Sequence, residues 1–264
     1  MEPVIVVGMH RSGTSLMVKV LEELGVFMGD DQEHNGESMF FLGINKWIFH
    51  QAYSSWEHPE MCRCLSEEAK ETLIPIIKNR LKSYHKKRFF GNLKPASFDN
   101  PNFYWGWKDP RNTFTIDIWQ KIFGDVKIIH LYRNPLDVIA SLYKRENRRN
   151  TNIGNPTGTG LKKILYGLKL PQDKLFLPIF RLTNFDGLFR LWKEYVSQAL
   201  SISNDSNNII HISYEELVSN PQKVIPELAL IVLFVVSHYF IRFSSVINSD
   251  LIFFFNFTNK VFSF

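Results

Sequence analysis

The chain opens on Val4-Ile5-Val6-Val7, an unbroken apolar, β-branched run of the kind that forms a strand buried on both faces. Gly8 to Gly13 follows as a loop. Ser15 to Leu24 then carries Leu16, Val20, Leu21 and Leu24 at helical spacing and ends near Gly25, completing a strand–loop–helix unit. Residues 66–84 are predicted to form an amphipathic helix, opened by Ser66 as N-cap with Glu67 and Glu68 favourable in its first turn. Tyr104 to Trp107 is a short apolar strand that stops at Lys108-Asp109-Pro110. Residues 114–123 are helical, Lys127 to Tyr132 is a third strand, and Asp137 to Lys144 begins another helix. Asn, Gly, Thr and Pro crowd residues 150–178, the pattern of a long flexible insertion. Helical periodicity returns over 186–200, and Ile209 to Ile212 is a fourth strand. Strands alternating with helices predict an α/β fold, a mostly parallel sheet with helices on both faces.

From Leu228 onward the pattern breaks, and the remainder is apolar and aromatic with Arg242, Asp250 and Lys260 as its charges. Leu228 to Ile241, apolar apart from Ser237 and His238, is too short to span a bilayer securely. Residues 1–228 are therefore read as the folded domain and 229–264 as an atypical apolar tail. Translation past a frameshift is the favoured origin of the tail, and a weak membrane segment is the other reading. The tail is an aggregation hazard on either.

Composition narrows the class. A chain of 264 residues with 45% hydrophobic and 22% charged residues fits one sizeable globular domain with a short appendage. The net charge of +5 suits a partner that carries phosphate or sulfate. The stripe of basic and aromatic residues expected of a nucleic-acid binder is missing. Lys86-Lys87-Arg88, and Lys144-Arg145 with Arg148-Arg149, are read as solvated helix ends. Cys62 and Cys64 make neither a disulfide framework nor a four-ligand zinc site, which points to a reducing compartment. Met1-Glu2-Pro3 runs directly into a strand and no signal peptide is recognised, so a cytoplasmic protein is expected.

The loop Gly8-Met9-His10-Arg11-Ser12-Gly13-Thr14-Ser15 has P-loop spacing, and its amides with the helix N-terminus make a concave site for phosphate oxygens. A nucleoside-triphosphate P-loop needs lysine where Thr14 stands. Here the cation has moved to Arg11, inside the loop, which suits phosphate but equips the site poorly for ATP with magnesium. Packing, capping and direct chemistry are all open to His10. At the end of the third strand comes Arg133-Asn134-Pro135-Leu136-Asp137-Val138-Ile139-Ala140-Ser141. Arg133 at the strand end and Ser141 on the following helix can face one crevice, where a guanidinium and a hydroxyl hold a phosphate through charge-assisted hydrogen bonds.

With these two segments the sequence resembles the P-loop sulfotransferases, whose signatures are a first Lys/Arg-Ser-Gly-Thr loop and a later Arg-Asn-Pro-x-Asp-Val-x-x-Ser segment. The bacterial members are most similar, with Glu37-Ser38-Met39-Phe40-Phe41, Trp105-Gly106-Trp107-Lys108-Asp109-Pro110-Arg111 and Ile212-Ser213-Tyr214-Glu215-Glu216-Leu217 also matching, over roughly residues 3 to 228. The resemblance implies a three-layer α/β/α P-loop fold and transfer of a sulfuryl group from PAPS (3′-phosphoadenosine-5′-phosphosulfate) to a hydroxyl or amine acceptor. It places His10, Arg11, Ser12, Gly13, Thr14 and Ser15 on the 5′-phosphosulfate, and Arg133 and Ser141 on the 3′-phosphate. It also gives Arg11 the stabilisation of the leaving phosphate, which for a guanidinium is electrostatic.

Two carboxylates are candidates for the base. Glu37 stands where carbohydrate and tyrosyl-protein sulfotransferases carry a glutamate, and Asp109 where cytosolic relatives place a histidine. A solvated loop carboxylate is the bland reading of Glu37, and an ion pair with Lys108 or Arg111 that of Asp109. Trp105 and Trp107 are read as core rather than as stacking platforms. No metal is implied, and the acceptor expected is a small molecule or a glycan. The alternatives are an inactive, truncated remnant of the same fold and an ATP-dependent small-molecule kinase.

Overall fold

Successive side chains of a strand point to opposite faces, so a strand apolar throughout needs a core on each side. β1 (Val4–Val7) has both: Val4 and Val6 enter one buried cluster, Ile5 and Val7 the other. The computed structural model describes residues 1–93, 97–99, 101–153, 180–202 and 208–233. Within them β1 joins β2 (Gly106–Lys108), β3 (Lys127–Tyr132) and β4 (Ile209–Ser213) in a parallel sheet of order β2-β1-β3-β4.

Helices cover both faces, giving the expected three-layer α/β/α arrangement. α1 (Thr14–Glu23) lies over the face that holds Val4, Val6, Ile129 and Leu131. α2 (Met39–Gln51), α3 (Glu67–Lys82), the single turn α4 (Lys87–Phe90), α5 (Asn112–Phe123), α6 (Pro135–Ile153) and α7 (Phe185–Leu200) build the opposite layer. α8 (Tyr214–Ser219) and α9 (Pro221–Leu233) return to the face of α1.

The long amphipathic helix forms as α3, with Ser66 Oγ accepting from the Ala69 N–H at 3.2 Å. The second strand is displaced two residues downstream of its expected start. Trp105 makes an isolated bridge to Phe27, and regular pairing begins at Gly106, where a side chain would run into the Val4 carbonyl. Trp105 and Trp107 are fully buried, Trp107 stacked on Phe41 at 3.8 Å, which bears out the core reading. α2 was not foreseen: Met39-Phe40-Phe41-Leu42-Gly43-Ile44 is apolar without a period and contains a glycine, so the pattern carries no helical signature. Its start is fixed by Ser38 and Asp31. Ser38 Oγ donates to Asp31 Oδ1 at 2.8 Å, and the Phe40 N–H donates to Asp31 Oδ2 at 2.6 Å.

α9 runs past residue 228 to Leu233, with Leu228 and Val232 fully buried and the Lys127 ammonium donating to the Val232 carbonyl at 2.8 Å. Residues 234–264 of the apolar tail lie outside the described residues, as do residues 154–178 of the expected insertion. No helix among the described residues is long and apolar enough to cross a membrane. Cys62 and Cys64 are free thiols, and burial pushes Cys62 up to about 12.

Beneath the carboxyl ends of β1 and β2 lies a buried polar network centred on Asn45 of α2. Asn45 Nδ2 donates to Asp109 Oδ2 at 2.9 Å and to Asn112 Oδ1 at 2.7 Å. Its Oδ1 accepts from Thr115 Oγ1 at 2.9 Å and from Trp119 Nε1 at 3.1 Å. Asn112 extends the network by donating to the Val6 carbonyl at 3.3 Å and accepting from Trp107 Nε1 at 3.1 Å. Asn45→Leu keeps the branched shape but leaves several buried groups unanswered. Urea unfolding should show a loss of about 3 kcal/mol or more with the slope unchanged.

A further contact links β3 and β4, where buried His130 and half-buried His211 share a register position and their Nδ1 atoms lie 2.9 Å apart. Burial, then the neighbouring His211, holds His130 down to about 3. Its neutral form is thus favoured by folding. That stability is complete above the unfolded imidazole value and is lost as pH falls below it. Between pH 7 and pH 5 the protein should lose about 2 kcal/mol from this residue. Urea unfolding of His130→Gln should show a correspondingly flatter pH dependence over that interval.

Candidate functional site

The chain leaves β1 toward one face of the sheet, through α1, and leaves β3 toward the other, through α6. Connections that diverge in this way open a crevice at the carboxyl ends of the two strands, the usual place for a ligand in such sheets. The loop of residues 8–13 and the Arg133-Asn134 segment both lie there.

The loop's shape follows from its glycines. Gly8, at φ 136°, lies so close under the Leu131 carbonyl that a Cβ would collide with it, and its N–H donates to Thr113 Oγ1 at 3.1 Å. Gly13, at φ 90°, is the N-cap of α1, and the Tyr214 ring fills the place a side chain would need. Between them Arg11 itself adopts a left-handed conformation, φ 70°, which is unusual for a residue with a Cβ. Its Nε donates to Ser141 Oγ at 2.8 Å, tying the loop to α6.

Arg133 lies with its guanidinium 4.3 Å from the centre of the Tyr214 ring and donates to Asp137 Oδ2 at 3.2 Å, while its Nε is buried with no partner. Tyr214 therefore supports both halves of the crevice, Gly13 on one side and Arg133 on the other. Glu215 completes that support: its Oε1 accepts from the Asn134 N–H at 3.0 Å and its Oε2 from Ser213 Oγ at 3.0 Å. The late Ser213-Tyr214-Glu215 segment thus shapes the loops rather than standing apart from them.

The other expected residues divide into two groups. Ser12 is fully buried with its hydroxyl unpartnered, and Thr14, the first residue of α1, is also buried. The Ser15 hydroxyl is committed elsewhere, donating to the Asn35 carbonyl at 2.6 Å. On the β2 side, Glu37 stands one residue before the N-cap of α2 and is 5% exposed; it is a buried carboxylate, not a solvated one. Its Oε1 accepts from the Lys108 ammonium at 3.2 Å. Burial pushes the Glu37 carboxyl up and the Lys108 ammonium down, and the ion pair between them opposes both shifts. Asp109 is fully buried and fully used. Its Oδ1 accepts from the Arg111 backbone N–H and Nη1, each at 3.0 Å, and its Oδ2 from Asn45.

His10 joins the two groups. Its Nδ1 lies 4.0 Å from Glu37 Oε1, its ring meets the edge of Trp56 at 4.7 Å, and Nε2 is buried without a partner. Burial, then the charges of Arg111, Arg145, Lys108 and Arg11, holds it well below the ordinary imidazole value.

Arg145 corrects the reading of the Lys144-Arg145 segment as a solvated helix end. Its guanidinium covers Trp56 at 4.9 Å, its Nε donates to Glu146 at 2.7 Å, and its Nη2 is buried and unpartnered. The available signal was its spacing from Ser141, one helical turn along the same face of α6. Trp56 gave no signal, because only the fold brings it to His10.

Among the described residues, six buried side-chain atoms lack a hydrogen-bond partner, and four of them belong to His10, Ser12, Arg133 and Arg145. Buried polar groups are ordinarily satisfied, so such a concentration in one crevice marks a place built for a polar ligand. Burial, then Arg145 and Arg133, also pushes Arg11 down, the mark of cations crowded together to meet an anion. No cluster of three or more His, Cys, Asp or Glu suited to a metal ion occurs among the described residues.

Comparison with known proteins gives this crevice a context. No curated protein matches the chain. Similar solved structures include a sulfotransferase domain from the curacin biosynthetic pathway, 17% identical over 89% of this chain and 74% of that one, with a TM-score of 0.45. Another is a sulfotransferase from Alicyclobacillus acidocaldarius, 15% identical over 88% of this chain and 81% of that one, also at 0.45. The description "Sulfotransferase domain" matches residues 107–230, and "Sulfotransferase family" matches residues 3–159, which include the glycine loop, Glu37, Asp109, Arg133 and Ser141. The chain belongs to the sulfotransferase family.

Proposed function

We propose that the protein transfers a sulfuryl group from PAPS to a hydroxyl or amine acceptor by in-line displacement. The observation that carries this reading is the set of unanswered buried donors at Ser12, Arg133 and Arg145 around the glycine loop. A donor with phosphate at both ends of its ribose fits it, since the loop and the β3 end offer two separate anion sites. Ser12, Gly13 and Thr14 with Arg11 would hold the 5′-phosphosulfate, and Arg133 with Ser141 the 3′-phosphate.

PAPS supplies the activated sulfuryl group, and the chain supplies position and charge. Arg11 keeps a permanent positive charge at the loop and stabilises the phosphate oxygen from which the group departs. Its bond to Ser141 holds that charge between the two anion sites. Asp109, with every oxygen engaged, acts by positioning Arg111 and Asn45. Glu37 makes the basic end of the crevice, with Lys108 fixing its orientation. The acceptor is read as a small molecule or a glycan.

Calorimetry with PAP, the desulfated donor, tests the reading directly. Micromolar PAP binding is expected, with little binding of 5′-AMP. Arg133→Ala should weaken PAP by about 30-fold or more, the equivalent of roughly 2 kcal/mol, and should leave the weak AMP binding unaltered. Folded protein that binds neither nucleotide would replace this reading with the inactive remnant. A preference for ATP with magnesium would replace it with the kinase.

A further inference from the structure

We propose that Arg145 binds the sulfuryl group of PAPS, the third of the donor's anionic groups, and so distinguishes the loaded donor from the spent nucleotide. The inference rests on the sulfuryl-transfer reading and assigns the crevice arginine that the two phosphates leave over.

Arg133 and Arg145 are built alike. Arg133 lies against the Tyr214 ring at 4.3 Å, donates to Asp137 at 3.2 Å and keeps its Nε unpartnered. Arg145 lies over the Trp56 ring at 4.9 Å, donates through Nε to Glu146 at 2.7 Å and keeps its Nη2 unpartnered. The two side chains are 28% and 31% exposed, so neither is sealed off from an incoming anion. In each case an aromatic face and one carboxylate fix the plane of the guanidinium and leave a donor over. Arginine recognises the oxygens of phosphate and sulfate in that form. Trp56 is itself a fixed platform. Its carbonyl accepts from Tyr195 Oη at 3.0 Å, and that of the next residue, Glu57, accepts from Arg181 Nη1 at 2.8 Å.

Position along α6 decides which group Arg145 meets. Arg133 precedes the helix and pairs with Asp137 in its first turn. Ser141 follows one turn on and holds Arg11, and Arg145 follows one turn beyond Ser141. Four residues of helix advance about 6 Å, so the three arginines run in the order Arg133, Arg11, Arg145. PAPS carries three anionic groups in a matching order: the 3′-phosphate, the 5′-phosphate and the sulfuryl group bonded to it. With the first at Arg133 and the second at Arg11, the sulfuryl group comes to Arg145. Contacts close the circuit from the other side, since the Trp56 ring meets the His10 ring at 4.7 Å and His10 precedes Arg11 in the loop. Burial, then Arg145, then Arg133 disfavours the charge of Arg11, so Arg145 is the more strongly felt of the two neighbouring arginines.

The acceptor carries the sulfuryl group away, and PAP keeps both phosphates but offers nothing to Arg145. Loss of Arg145 is therefore felt by PAPS and not by PAP, whereas loss of Arg133 is felt by both.

Calorimetry of the full chain with PAP and with PAPS, in the absence of acceptor and with the donor verified intact afterwards, tests the assignment. Arg145→Ala should weaken PAPS by about 30-fold, while PAP stays within about threefold of wild type. Arg145→Lys keeps the charge without the planar fork and should recover part of the PAPS affinity, again with PAP unmoved. A guanidinium that only packs on Trp56 would give equal losses for the two nucleotides, and that result overturns the proposal, as do unchanged affinities for both. Wild-type protein that fails to bind PAP would overturn the donor reading and the proposal with it. A crystal structure of the wild type with PAPS needs no variant to fold. Arg145 within hydrogen-bond distance of a sulfuryl oxygen upholds the assignment, and Arg145 turned away from a bound donor overturns it alone.

Discussion

Lys108, Asp109 and Arg111 follow one another at the carboxyl end of β2, and Glu37, from the segment before α2, is buried beside them. Each such charge costs several kcal/mol to remove from water unless a partner answers it. The structure is organised around that requirement. Lys108 meets Glu37, Arg111 meets Asp109, and Asn45 answers the second oxygen of Asp109 while tying it to Asn112, Thr115 and Trp119. Because Asn45 belongs to α2 and its partners to α5 and the end of β2, the packing of two helices on the sheet is conditional on this polar network. The position of Glu37, one residue before the α2 N-cap, is conditional on it too.

Across the crevice the opposite rule holds. Around the glycine loop the polar groups are left short of partners, and burial, then Arg145 and Arg133, disfavours the charge of Arg11. One half of the crevice has its charges paired, and the other gathers cations with unanswered donors. Tyr214 couples the two strand ends that carry the cations, since one ring fills the space at Gly13 and lies under Arg133.

Much of the fold was legible along the chain because its signals are local. Val4 to Val7 has no polar residue and needs two cores, and Lys127 to Tyr132 matches its strand residue for residue. Ser66 with Glu67 and Glu68 marks the start of α3. α2 stayed hidden because an apolar stretch with Gly43 in its middle has no period to detect. The strand end at Trp105 was misplaced because an isolated bridge to Phe27 depends on a residue far away in sequence.

Sequence alone determined the loop with its displaced cation, the Arg133 and Ser141 spacing, and from these the family. All are patterns within a dozen residues, where backbone sterics and helical spacing leave few alternatives. Tertiary structure decided which partner each group has. Ser141 is bonded to Arg11, Lys108 chose Glu37 over its neighbour Asp109, Ser15 turned to Asn35, and Arg145 lies over Trp56. Those choices are settled by burial, since a charge inside the protein takes whichever partner the packing brings within reach, and no stretch of sequence holds both members of such a pair.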